Sequence, residues 1–354
     1  MSNYIEPDML DTLELPENSF QDQKTALLSI VLPAYNEERN IARVYHKLKE
    51  ILATIPIKHE IIFVDDGSMD QTSKEVEKLC EQDDQVILIK LTRNFGHQSA
   101  LLAGMSNSQG DAIITLDCDL QHPPQMIEQM VDLWERGTFI VQMRRKNDTD
   151  TRAVKSLLSR SFYRLINSIS NVHLVENAAD FQLLDRQAVS HILQVAGQEP
   201  FIRGLISWLG FPTIVLDYQA ESRYAEQPAY TFKKNLHMAW HAVLQLSSKP
   251  LNIGLFAGII LFFLSIAYII YAIINHYQGE TLPGWTSLVT LVLVVGSMQM
   301  LMTGVMGNYI RLIYESSRKM PTFVHFQPYR KIQKKNAVPQ QTSDATSLEK
   351  QGKT

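Results

Sequence analysis

Asp117 and Asp119 stand two residues apart in Thr115-Leu116-Asp117-Cys118-Asp119-Leu120-Gln121-His122-Pro123-Pro124, directly after an apolar run. In extended chain, side chains at i and i+2 point the same way. One or both carboxylates could therefore hold a divalent cation while the diphosphate of a nucleotide supplies further oxygens. Mg2+ is commonly bound by few protein carboxylates and by substrate phosphates, and Mn2+ accepts similar ligands. Asp-x-Asp alone is a frequent accident, so its meaning depends on its setting. Two more polar clusters follow apolar runs, Pro33-Ala34-Tyr35-Asn36-Glu37-Glu38 and Asp65-Asp66-Gly67-Ser68-Met69-Asp70. A carboxylate in the first suits a ribose or base edge and equally suits a helix cap. The second makes a polar concavity, although Asp, Gly and Ser also favour plain turns. Neither a Gly-x-Gly-x-x-Gly nor a Walker-type Gly-x-x-x-x-Gly-Lys-Ser/Thr follows the first apolar run, which argues against a dinucleotide oxidoreductase or a P-loop NTPase. The two cysteines, Cys80 and Cys118, offer neither a disulfide framework nor metal-ligand spacing.

These clusters need a scaffold that presents the ends of several strands together. Leu27–Leu32, Glu60–Val64, Val86–Leu91, Asp111–Leu116 and Thr138–Met143 read as strands. Glu38–Leu52 reads as a helix, with Ile41, Val44, Tyr45, Leu48, Ile51 and Leu52 on one face, and further helices are expected after Asp70, His97 and Pro124. The alternation predicts an α/β fold with a mostly parallel sheet covered on both faces. Ligands of such sheets bind beyond the carboxyl ends of the strands, where the polar clusters lie. Farther on, Arg160–Ile169 reads as an amphipathic helix and Phe201–Gly210 as an apolar, aromatic stretch containing Arg203.

Hydrophobic residues make up 45% of the chain and charged residues 20%, but the average hides a division. Leu251–Gly279 and Thr281–Ile310 contain no Lys, Arg, Asp or Glu, and each can supply the ~20-residue helix needed to cross a bilayer. Before them, Thr231–Ser248 sets Phe232, Leu236, Trp240, Val243 and Leu246 on one helical face and Lys233, Lys234, His237 and His241 on the other, as in a helix lying at the membrane interface. Basic residues flank the second run on its far side, including Arg311, Arg318, Lys319, Arg330 and Lys331. The positive-inside rule then puts the N-terminal domain and the tail in the cytosol and the Gln278–Pro283 connection outside. The first 25 residues are acidic and lack an apolar core, so no secretory signal is expected. The expected organisation is a flexible acidic arm (1–25), a catalytic domain (26–230), an interfacial helix (231–249), two transmembrane helices (250–314) and a basic, partly disordered tail (315–354).

Pro33–Glu37, Asp65–Ser68, Asn94-Phe95-Gly96-His97-Gln98, Gly104, Asp117–Pro124, Ala179–Arg186, Phe201–Gly204 and Trp208–Phe211, followed by two apolar runs, together resemble glycosyltransferase family 2. More narrowly they resemble its polyprenyl-phosphate members, the dolichyl-phosphate mannosyltransferases and bactoprenol glucosyltransferases. The resemblance spans residues 27–325. It implies a GT-A type domain that transfers a sugar from a nucleotide sugar, a UDP-sugar in the first instance, to polyprenyl phosphate with inversion. Pro33, Tyr35, Glu37, Asp65 and Asp66 would hold the nucleoside, and Asp117, Asp119 and Gln121 the metal (Mg2+ or Mn2+) and the diphosphate. Asp180 matches the acceptor-side carboxylate. Asp119, Asp180 and Arg203 are the candidate catalytic groups, and Arg144 and Arg223 with Arg203 are candidates for the phosphates. Partners would be the donor, the lipid, the inner membrane and further copies of the chain, with tetramers known among relatives; no nucleic acid is expected. The chain departs from the family at His122, usually an acid, and at Ala225–Tyr230, where the usual lysine is missing. A processive polysaccharide synthase would need a Gln-x-x-Arg-Trp motif and more spans, and neither appears. An inactive membrane scaffold of the same fold is the alternative from a different class.

Overall fold

The computed structural model describes residues 4–5, 26–146, 175, 178–197, 200–219, 284–318 and 320–330, with isolated positions between 256 and 274. Its centre is one eight-stranded sheet. The strands are β1 (Tyr4–Ile5), β2 (Leu27–Ala34), β3 (Lys58–Asp65), β4 (Val86–Lys90), β5 (Ala112–Thr115), β6 (Ile140–Lys146), β7 (Ala178–Asp185) and β8 (Thr213–Gln219). Their order is β1-β8-β6-β7-β5-β2-β3-β4. Every pairing is parallel except the two made by β7, which runs against β5 and β6. The mostly parallel α/β architecture expected from the alternation of runs is present.

Side-chain alternation along the strands divides the core. Leu28, Ile30, Leu32, Ile61 and Phe63 face the helices α1 (Ile41–Leu52), α2 (Thr72–Gln82) and α4 (Met126–Glu135). Val31, Ile62, Val64, Ile87 and Ile89 face α3 (His97–Asn107), α5 (Arg186–Val195) and α6 (Ile202–Leu209). At Gly104 of α3 a Cβ would stand 2.2 Å from Val31 Cγ1 and 3.1 Å from Val64 Cγ2. Only a residue without a side chain lets α3 lie this close to the sheet.

Both edges of the sheet are covered by sequence-distant chain. β1 pairs with β8, and the Tyr4 hydroxyl lies 2.8 Å from Ser207 Oγ, so part of the acidic arm is docked. At the other edge, residues 320–330 run antiparallel to β4. Leu88 N–H donates to Tyr329 O (3.1 Å), Tyr329 N–H to Leu88 O (2.8 Å), Phe326 N–H to Lys90 O (2.9 Å) and Thr92 N–H to Val324 O (2.9 Å). Between the sheet and this strap comes α7 (Trp285–Ser317), 33 residues long, which covers most of the second expected span. Counting the described residues alone, no helix is long and apolar enough to cross a membrane. The expected interfacial helix 231–249 and the amphipathic stretch Arg160–Ile169 lie outside the described residues.

Candidate active site

The strand ends build the site. β2, β3, β4 and β5 terminate side by side, with Ala34 opposite Asp65 and Asp65 opposite Lys90. The loops that follow them therefore share one rim, carrying Tyr35–Glu37, Asp66, Arg93–Gly96 and Asp117–His122. β7 enters from this same rim because it is antiparallel. Its register pairs Thr115 with Gln182, and continuing that register by two residues sets Asp180 across from Asp117. Two carboxylates so placed repel, and the structure puts a cation between them.

That cation is His97, the first residue of α3. Its Nε2 lies 3.3 Å from Asp180 Oδ2 and 3.6 Å from Asp117 Oδ1. Burial would lower the imidazole pKa, but the hydrogen bond to Asp180 and the charges of Asp117 and Asp180 outweigh it, and the value is pushed up to about 9. On the other side of Asp180, Arg203 Nε stands 3.1 Å from Oδ1 while Arg203 Nη1 donates to Ala178 O (2.8 Å). Gln98 Nε2 donates to Asp180 Oδ2 (3.0 Å) and Gln98 Oε1 accepts from Ile202 N–H (3.1 Å), tying α3 to α6. Burial would raise the Asp180 pKa, yet the charge of Arg203 and the hydrogen bond and charge of His97 prevail, holding it well below the usual carboxylate range. Asp117 is likewise lowered against burial, by His122 and His97.

Sequence reasoning named Asp117, Asp180 and Arg203 separately; the fold brings them together. It did not assign a role to His97 or Gln98. The signal available was a His-Gln pair opening a helix just after a Gly in the loop that follows a strand. Asp119 accepts from Gln121 N–H (3.1 Å) and from Gln121 Nε2, so Gln121 is set against that carboxylate. Leu120 between them has φ +58°, an uncommon conformation for a bulky residue, and it turns the chain back on itself. Glu37 is raised first by burial and then by the negative charges of Asp119 and Asp117, against the lowering bond from Asn40, which places the first and fourth loops in one electrostatic field.

The second loop has a different character. Asp65 accepts from Ser68 N–H (2.9 Å) and from the Ser73 hydroxyl. Asp66 accepts from Phe95 N–H (2.7 Å) and Gly96 N–H (3.0 Å). Its carboxylate thus anchors the turn that delivers His97. Tyr35 is exposed and Pro33 is the penultimate residue of β2. Arg144 forks onto Asp217 of the neighbouring strand, Nε to Oδ1 at 2.5 Å and Nη2 to Oδ2 at 3.0 Å. Arg223 lies outside the described residues. His122 is buried, with Nε2 3.1 Å from Asp117 Oδ2.

Among the described residues no three His, Cys, Asp or Glu converge as a metal-ligand set. Two carboxylates can suffice where substrate phosphates complete a cation's shell. Asp117 and Asp119 follow the end of one strand, Asp117 is partly exposed, and their charge is strong enough to perturb Glu37. A divalent ion completed by diphosphate oxygens fits this set.

Residues 29–193 match the family model described as glycosyl transferase family 2. An uncharacterised Bacillus subtilis glycosyltransferase, YkcC, is 34% identical over 307 residues, covering 85% of this chain and 94% of its own. The bactoprenol glucosyl transferase of Shigella phage SfV is 32% identical over 298 residues, covering 84% and 97%. Among solved structures, glucosyl-3-phosphoglycerate synthase from Mycobacterium tuberculosis, in complex with Mn2+, UDP-glucose and phosphoglyceric acid, overlays with a TM-score of 0.46 at 16% identity, covering 66% of this chain and 84% of that one. Since the family match takes in β2 through most of α5, and the relatives align over nearly their whole length at about a third identity, the chain belongs to glycosyl transferase family 2.

Proposed function

We propose that this enzyme transfers a sugar from a UDP-sugar to the phosphate of a polyprenyl phosphate, with inversion, at the cytosolic face of the inner membrane. The observation that carries the reading is the His97–Asp180–Arg203 cluster facing Asp117. Transfer to a lipid phosphate must bring two anions together, the acceptor phosphate and the donor diphosphate. A site for that reaction needs fixed positive charge on the acceptor side, and His97 and Arg203 provide it beside Asp180. Bactoprenol glucosyl transferases among the relatives favour the same acceptor class.

Pro33, Tyr35 and Glu37 would hold the nucleoside, with Asp65 and Asp66 shaping the loops around it. Asp117 and Asp119, helped by Gln121, would hold Mg2+ or Mn2+. Such an ion neutralises a leaving diphosphate. Arg203, with Arg144 and Arg223 as further candidates, would neutralise and orient the incoming phosphate, to which a guanidinium fork is suited. A phosphate is already ionised near neutrality, so the site needs no strong base. Asp180, kept ionised by its two cations, orients His97 and Arg203.

Membrane attachment is supported by the surface. Leu291, Val292, Val294, Met300, Ile310 and Ile313 of α7 are exposed, as are Phe256, Ile260, Phe263 and Leu264 before it. An apolar surface of this extent is not left to water. β8 also ends at the site rim, so the chain leaves for its apolar segments from the side on which a lipid phosphate would arrive. Two spans over 250–314, with the catalytic domain and tail cytosolic, complete the proposal, and copies of the chain would associate through the membrane part.

The test is transfer of radiolabelled sugar to undecaprenyl phosphate in detergent, across UDP- and GDP-sugars, with Mg2+, Mn2+ or EDTA. A lipid-soluble product made from one donor and lost with EDTA is expected. Nucleotide binding with no lipid product from any donor would overturn the acceptor assignment.

A further inference from the structure

His122, next in the chain to Gln121, does not face solvent. It is 8% exposed, packed against Phe181 (ring centroids 5.4 Å) and Tyr218 (5.5 Å). Both ring nitrogens are engaged: Nδ1 lies 2.8 Å from the Tyr218 hydroxyl and Nε2 3.1 Å from Asp117 Oδ2. We infer that Tyr218 and His122 form a positioning chain for Asp117, fixing which of its oxygens is presented to a divalent cation; this rests on the metal reading just given.

The direction of the chain follows from its ends. Asp117 is a carboxylate and only accepts, so Nε2 carries the proton. With the Nε2 proton directed at Asp117, Nδ1 is placed to accept the Tyr218 O–H. The phenol O–H, 2.8 Å away, is a ready donor. Tyr218 stands on β8 and Asp117 follows β5, with β6 and β7 between them in the sheet. The chain therefore ties the cation-side carboxylate to a strand on the far side of β7. With Oδ2 held by His122, Oδ1 is the oxygen turned to the site, where His97 Nε2 stands 3.6 Å from it. A histidine here can donate to Asp117 without adding a second negative charge beside it. Groups placed behind metal ligands in this way set affinity by roughly 10- to 100-fold.

The experiment is titration of Mn2+ by electron paramagnetic resonance into the full chain in detergent, with and without UDP, for wild type, His122→Phe, His122→Gln and Tyr218→Phe, beside thermal melting. Mn2+ affinity should fall about 10- to 100-fold in His122→Phe and about three- to tenfold in Tyr218→Phe, which loses a single hydrogen bond. His122→Gln, whose amide can still donate to Asp117, should recover most of the loss. A packing role alone would lower melting temperature without moving Mn2+ affinity. Wild-type affinity in both His122→Phe and Tyr218→Phe overturns the inference. Should His122→Phe not fold, unchanged affinity in Tyr218→Phe overturns it alone. If the wild-type chain binds no Mn2+ even with UDP, the metal reading itself falls.

Discussion

Asp119 has no partner in the His97–Asp180–Arg203 cluster, and its oxygens accept only from Gln121 among the hydrogen bonds found. Asp119→Ala should therefore leave the fold within about 1 kcal/mol of wild type and lower sugar transfer by about a hundredfold or more. Near-normal turnover would remove Asp119 from the cation site. His97 makes a second prediction, for the metal-free protein. Its folded pKa, about 9, is raised above the ordinary 6.5, so the stabilisation it contributes is complete below about pH 6.5 and is lost as pH rises through 9. Asp180 has the opposite sign: depressed below its ordinary 3.8, it contributes above that value and the contribution goes as pH falls through its lowered pKa. Melting temperature in EDTA should decline between pH 7 and 10, and His97→Gln should lack that component of the decline. Parallel curves for the two proteins would show that His97 does not bridge the carboxylates as described.

At the scale of elements, the closeness of α3 to β2 is what sets the depth of His97. Gly104→Ala forces a methyl into Val31, and overpacking of this kind costs about 1–3 kcal/mol. Adding Val31→Ala should recover part of the lost melting temperature, which a strain unrelated to that contact would not allow. The elements differed in how openly the sequence declared them. β2 to β6 are buried parallel strands, and such strands read as unbroken apolar runs; all five were legible, each to within a few residues. α1 begins at Ile41 rather than Glu38 because the Glu37 and Glu38 amides donate to Thr72 and Asp70 side chains, so the turn claims residues with helical periodicity. β7 was recognised as a motif and not as a strand. Asp180 and Gln182 interrupt its apolar run, and the direction that makes them useful is set by pairing with β5 and β6, which no local pattern records. The carboxylates of the site were legible for the same reason that His97 was not. Acids at strand ends stand out, whereas a histidine opening a helix acquires its role only when Asp117 and Asp180 arrive from elsewhere.

At the scale of the whole molecule, the strap 320–330 follows α7 and closes the edge at β4. An uncovered edge strand offers its backbone to other chains. Ending the chain after Arg330 should leave a protein that elutes from size exclusion as the full chain does. Ending it after Lys319 removes Val324, Phe326 and Tyr329 from β4 and should give high-molecular-mass material by light scattering. Identical behaviour of the two truncations would show that the strap is dispensable. Thr92, held by Val324, also lies close before the turn that Asp66 anchors, so the same contact supports the approach to His97.

The reversed strand has one more result. Because β7 alone opposes its neighbours, β6 ends and β7 begins at the same rim, and residues 147–177 are moored there at both ends. A change in the length of that stretch therefore need not alter the pairing of β5, which Asp117 and Asp119 follow, with β2 and β7.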